Sequence, residues 1–189
     1  NVIVVMCSPV NDFKSVTKKA YDELKSAKVK VIKSPDLKNL KLSRDTVIVD
    51  ALVGTGLKGK LRNAVKESVL KINELGIKYP VISLDVPSGM NSDTGYVEDV
   101  CVFADITATF VAQKRGCFTT IGKKVSGELH YSDLDIPKKL FSKVSSSCSV
   151  IDFEGLVSKV TYREEDAHKG VFGHAIIVGG DKGLGGAGI

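Results

Sequence analysis

Two apolar runs in this chain end on a carboxylate. TVIVD, residues 46–50, and PVISLD, residues 80–85, are both rich in β-branched side chains and both close on aspartate. Between them Val65, Val69, Ile72 and Leu75 recur at helical spacing, and Gly76 stands where a glycine just past a helix end belongs. Strand, helix, strand in that order makes a βαβ unit. Such units build a mostly parallel sheet covered on both faces by helices.

The rest of the chain follows the same alternation. Val2 to Met6 is expected to be a strand, and Val16, Ala20, Leu24 and Ala27 mark a helix over 14–27. Residues 29–32, 104–110 and 127–134 are further expected strands. The predicted class is α/β, a Rossmann-like three-layer αβα sandwich. In open α/β sheets ligands sit where the strands' carboxyl ends meet their loops. Asp50 and Asp85 are therefore expected to point into a ligand site.

The loops after these strands carry the chemistry. Residues 50–60, DALVGTGLKGK, place Gly54, Gly56 and Gly59 beside Lys58 and Lys60. Glycines there let backbone N–H groups approach phosphate oxygens, though they also serve simple tight turns. The Walker pattern is absent. Gly-x-Gly-x-x-Gly is met, but alone it is a weak sign of dinucleotide binding. In LDVPSGMNSDTG, residues 84–95, Pro87 stiffens the turn, Gly89 permits an unusual φ, and Ser88 offers oxygens near Asp85. Asp50, Asp85 and Ser88 suit a hard cation or a hydroxylated ligand. The nucleophile pattern Gly-x-Ser-x-Gly fails because residue 86 is valine. Lys114 follows a strand end and is placed either toward the same site or in solvent.

Composition excludes little. Among 189 residues, 43% are hydrophobic, and no run of apolar residues is long enough to span a membrane. Four cysteines lie far apart, without zinc-knuckle spacing, so reduced thiols in a cytoplasmic protein are expected. His168 and His174 are six positions apart with no third ligand beside them, a poor metal site. Residues 12–44 hold ten Lys/Arg against four Asp/Glu, a solvated basic face rather than a nucleic-acid surface, since aromatics and arginines are few. After Pro137 the serine-rich SKVSSSCS looks like a linker. HKGVFGHAIIVGGDKG then starts a new pattern, with a strand expected from about His174 to Val178.

Taken in series, VDALVGTGLKG, LDVPSGMNSDTG, ADITATFVAQKRG and GELHYSDLDIP resemble the YjeF N-terminal family of NAD(P)HX epimerases. HKGVFGHAIIVGGDKG is similar to the start of the ribokinase-like NAD(P)H-hydrate dehydratase domain, which occurs fused behind the epimerase. The resemblance implies residues 1–141 as an epimerase domain, 142–167 as a linker and 168–189 as the start of a dehydratase domain. It implies NADHX or NADPHX as substrate, with ADP or ATP serving the dehydratase. Asp50 and Ser88 would be potassium ligands. Gly54, Thr55, Gly56, Leu57, Lys58, Gly59 and Lys60 would cradle the substrate's phosphates, and Asp85 would contact its ring and act as acid–base. The family's upstream Asn-Asn-Gly-Gly-Asp-Gly loop is missing here, and both ends of the chain are expected to be cut. A homo-oligomer follows only by analogy.

Two other readings remain. The same fold serves as a non-catalytic scaffold or RNA- or protein-binding module, which the basic stretch 12–44 favours and the strand-tip acids oppose. A nicotinamide-dependent oxidoreductase would want an acid at a strand end about 20 residues past the glycines. The nearest is Glu74, inside the expected helix.

Overall fold

In a computed structural model of the chain, residues 2–34, 40–158, 170, 174, 176–180, 182, 183 and 186 are described. Six of the expected strands form, most trimmed at their ends and that expected over 29–32 shifted by one residue. β1 (Ile3–Met6) and β2 (Lys30–Lys33) pair in parallel, from Ile3 opposite Lys30 to Met6 opposite Lys33. Between them runs α1 (Ser15–Ser26), which buries none of its residues. Phe13 packs edge-on against Tyr21 of this helix, ring centroids 5.7 Å apart.

A second, four-stranded sheet is parallel throughout and ordered as in the chain: β3 (Ile48–Asp50), β4 (Val81–Leu84), β5 (Ile106–Phe110) and β6 (Glu128–Ser132). Its register lays Asp50 beside Ser83, Ser83 beside Thr107 and Thr107 beside Leu129. The β3–β4 crossover contains α2 (Asn63–Gly76), whose Val69 and Ile72 are buried with Leu61, Val81 and Val102. A second cluster gathers Val86, Met90, Cys101, Cys117 and Val125, the last from α3 (Thr120–Val125), with Leu129 against it. The sheet face bearing Ile48, Val81 and Leu129 thus meets both clusters. The opposite face is more open, with Val49 55% and Leu84 38% exposed.

Gly76 ends α2 in a way the sequence pattern did not predict. It is the last helical residue, and Ile77, with φ −62°, is the cap. A Cβ at position 76 would stand 3.0 Å from Val81 Cγ2, so the glycine supplies room for the helix end against the next strand.

Asp105 ties three strands together. Its N–H donates to the Val81 carbonyl at 2.9 Å, and its carboxylate accepts the Val81 N–H at 2.8 Å. Its carbonyl accepts the Glu128 N–H at 2.9 Å. Gly127, at φ +60°, passes so close that a Cβ there would lie 2.1 Å from the Asp105 carbonyl oxygen.

The chain divides into two compact units, residues 1–145 and 146–189. The first closes with α4 (Lys138–Phe141). The second contains α5 (Phe153–Val157), capped by Asp152, whose side chain accepts the Gly155 N–H at 2.6 Å. Of the strand expected from about His174 to Val178, Ala175 lies outside the described residues, as does His168. Residues 176–180 carry no strand, and Ile176, Ile177 and Val178 are exposed, since no neighbouring strand pairs with them among the described residues. Among those residues no helix is long and apolar enough to cross a membrane.

Candidate active site at the strand tips

Asp50 closes β3 and is fully buried. Its Oδ2 accepts the Ser83 hydroxyl at 2.8 Å and the Ser88 N–H at 2.9 Å. Its Oδ1 accepts the Ser88 hydroxyl at 2.6 Å and, at 3.3 Å, the Leu52 N–H. These four donors are all neutral. A buried carboxylate is costly unless a cation or strong hydrogen bonds offset its lost hydration. The Ser88 carbonyl accepts the Val102 N–H at 2.9 Å and keeps its second lone pair. Asp50 and the Ser88 carbonyl are the oxygens here that could hold a hard cation. Among the described residues no group of three His, Cys, Asp or Glu side chains stands ready to hold a metal.

Asp85 follows β4 and differs in every respect. It is half-buried, and its backbone is left-handed at φ +73°. The Val86 N–H reaches back to the Leu84 carbonyl at 3.0 Å, which closes a three-residue turn around it. Few residues other than glycine adopt this conformation, and Asp is among the more tolerant. The carboxylate is paired with the Lys114 ammonium, which also donates to the Phe110 carbonyl at 2.7 Å. Lys114 thus faces Asp85 rather than bulk solvent, with 16% of its side chain exposed.

The glycine loop lies alongside. A Cβ at Gly54 would stand 3.5 Å from Asp85 Oδ2, so this backbone runs directly past the carboxylate. Gly59 takes φ +73°, which the turn requires, with the Glu98 carboxylate nearby. Thr55, Gly56, Lys58 and Lys60 are exposed and open to a ligand, whereas Leu57 packs against the α2 cluster. The dinucleotide-binding geometry is not reproduced, because α2 begins only at Asn63, past the loop. The structure therefore gathers Gly54, Asp85 and Lys114 at one place and joins Asp50 to Ser88 at another. The two meet through the loops that follow β3 and β4.

The family described as YjeF-related protein N-terminus matches residues 1–116. The chain belongs to this family. It is 40% identical over 146 residues to the bifunctional NAD(P)H-hydrate repair enzyme Nnr of Coxiella burnetii, covering 77% of this chain and 30% of that one. The enzyme of the same name in Escherichia coli K12 is 34% identical over 143 residues, 75% of this chain and 27% of that one. The bifunctional NAD(P)H-hydrate repair enzyme of Leishmania major is 38% identical over 145 residues, 75% and 26% respectively. The chain thus spans under a third of these relatives' length. The crystal structure of yeast ynu0, YNL200c, has the same fold, with a TM-score of 0.61 at 20% identity over 75% of this chain and 58% of that one.

Two features of this YjeF-related site, one residue and one pairing, escape a reading of the chain. Ser83 sits inside an apolar strand yet gives its hydroxyl to Asp50, and its only signal is a lone polar residue in PVISLD. The pairing of Lys114 with Asp85 depends on β5 lying next to β4, which no local pattern announces. All four cysteines are free thiols. Burial, and then the Asp50 charge, push the Cys101 thiol up to about 11, so it stays protonated at neutral pH. Burial raises Cys117 as well.

Proposed function

We propose that this chain is the epimerase part of a nicotinamide-nucleotide repair enzyme, interconverting the R and S hydrates of NADH and NADPH. The observation that carries the reading is the Asp85–Lys114 pair at adjacent strand tips, against the Gly54 backbone. Membership in the YjeF-related family, and the names of its relatives, support the substrate class.

Epimerisation at the hydrated ring carbon needs one proton given and one recovered. The Asp85–Lys114 pair supplies it to the hydroxyl, which departs as water with the C–O bonding electrons. Water then adds to the opposite face of the ring cation and returns the proton to the pair. Loop N–H groups within residues 54–60, ahead of α2, hold the substrate's phosphates, with Lys58 and Lys60 adding charge. Potassium would bind at Asp50 and the Ser88 carbonyl. It is a weak Lewis acid, so its contribution is to neutralise the buried carboxylate and hold the two loops. The second unit begins a dehydratase domain that consumes the S hydrate with ADP or ATP, a reading supported by HKGVFGHAIIVGGDKG and by the relatives' bifunctional name. Four free thiols suit a cytoplasmic setting.

The test is epimer exchange. The full-length gene product is mixed with pure R-NADHX in potassium buffer without nucleotide, and S-NADHX is followed by chromatography. Fast exchange that Asp85→Asn abolishes is expected. A folded protein without exchange would overturn the reading. One feature favours the scaffold or RNA-binding alternative: an open basin of about 670 Å³ whose lining joins Tyr21, Lys25, Lys28 and Lys33 to the apolar Met6, Val29, Val31 and Ile32. Salt-sensitive RNA binding there would support it.

A further inference from the structure

Val111 lies one residue past β5 and is held at φ +66°. A β-branched residue in this region is an outlier, and strain of this kind persists only where surrounding structure over-determines it. Burial does not offset the strain, since Val111 is 40% exposed. Three hydrogen bonds hold the turn instead. The Val111 N–H donates to the Ser132 carbonyl at 2.9 Å, and the Ala112 N–H to the Phe110 carbonyl at 2.7 Å. The Tyr131 hydroxyl, from β6, donates to the Val111 carbonyl at 3.0 Å.

This turn repeats the one at Asp85. Both turn the chain at a strand tip through one left-handed residue, closed by the N–H of the residue after it donating to the carbonyl of the residue before it. The two tips are neighbours in the sheet. The first carries the carboxylate itself. The second aims the Phe110 carbonyl at the Lys114 ammonium four residues on, and the same ammonium reaches Asp85. Lys114 is therefore placed by the shape of the turn at Val111, and Tyr131 is the side chain that clamps that turn.

We propose that Val111 and Tyr131 are positioning residues, which hold Lys114 against Asp85 through the left-handed turn after β5, on the acid–base reading of that pair. Tyr131→Phe removes one hydrogen bond and keeps the ring, which is 47% exposed, so the variant is expected to fold. Two measurements on the full-length gene product test the proposal. Acetylation of Lys114, followed by mass spectrometry, is expected to run about fivefold faster in Tyr131→Phe than in the parent, as befits the loss of one hydrogen bond. Equal rates overturn the proposal whatever the enzyme's activity. In the exchange assay kcat is expected to fall about fivefold with KM unchanged, and the loss is expected to vanish in a Lys114→Met background. An undiminished loss in that background also overturns it, because Tyr131 would then act by another route. Absence of exchange in the parent counts against the epimerase reading alone, and the acetylation rates still decide the role of Tyr131.

Discussion

Asp50 and Asp85 look alike in the sequence, each closing an apolar strand, but the fold treats them oppositely. Asp50 is sealed, backed by two hydroxyls and two amides, and tied to Ser88 on the next loop. Asp85 is half-open, set on a left-handed backbone, and paired with an ammonium. The difference lies in who reaches each carboxylate. The β3 tip is met by the serines of β4 and its loop. The β4 tip is met by a lysine that comes from beyond β5. One acid fastens two loops, and the other is left where a ligand can meet it.

Removing each acid in turn is expected to give opposite results. Asp50→Ala takes the acceptor from the buried Ser83 hydroxyl and Ser88 N–H and from the part-buried Leu52 N–H, and is expected to lower unfolding free energy by about 3 kcal/mol or more in urea titration. If Asp85→Ala costs the same, the contrast fails. Asp85→Asn is expected to cut the exchange rate by about 100-fold or more with little change in stability, because asparagine also accepts a left-handed backbone. Kinetics beside a urea midpoint check both halves of that statement.

Smaller effects sharpen the contrast. Gly89 follows Ser88 at φ +100°, and a Cβ there would lie 2.1 Å from the Val100 carbonyl oxygen. Gly89→Ala is expected to cost about 2 kcal/mol by pulling the serine loop away from Asp50, read in thermal unfolding. Exchanging potassium for tetramethylammonium is expected to remove about 1 kcal/mol of stability. Asp85→Asn should keep that response and Asp50→Asn should lose it. The smallest effect is a pH dependence. The Cys101 thiol sits at about 11 in the fold against an ordinary 9.0, so the native state holds its proton longer than the unfolded chain. Stability from this group is whole below pH 9.0 and is lost as pH rises toward about 11. Cys101→Ala should flatten the fall in urea midpoint across that window.

Most of the framework is legible in the chain because period and propensity agree there. The β-branched runs become strands, and Val65, Val69 and Ile72 turn inward on α2 as their spacing requires. The places of both acids at the strand tips are legible from position alone, Asp50 as the last residue of β3 and Asp85 just past β4. What stays hidden depends on residues far apart. Ser83 hides in an apolar run until Asp50 is laid beside it by register. Lys114 finds a partner 29 positions away. Gly76 looks like a helix stop and proves to be a clearance, and nothing local distinguishes those two uses. The left-handed backbones at Asp85 and Val111 run against local preference, so they arise only when the assembled sheet enforces them.

Asp105 has a consequence for how the sheet is assembled. A parallel sheet has no hairpin turns to count its residues, so neighbouring strands are free to slide by a step while still collapsing. Here one aspartate meets Val81 with both its amide and its carboxylate, and meets Glu128 with its carbonyl. A slide of one residue on either side would strand that carboxylate, and only a glycine at 127 fits against the Asp105 carbonyl in this alignment. The residue acts as an index pin. In the folded sheet it fixes the alignment of three strands, on which the meeting of Asp85 and Lys114 at the tips of β4 and β5 depends.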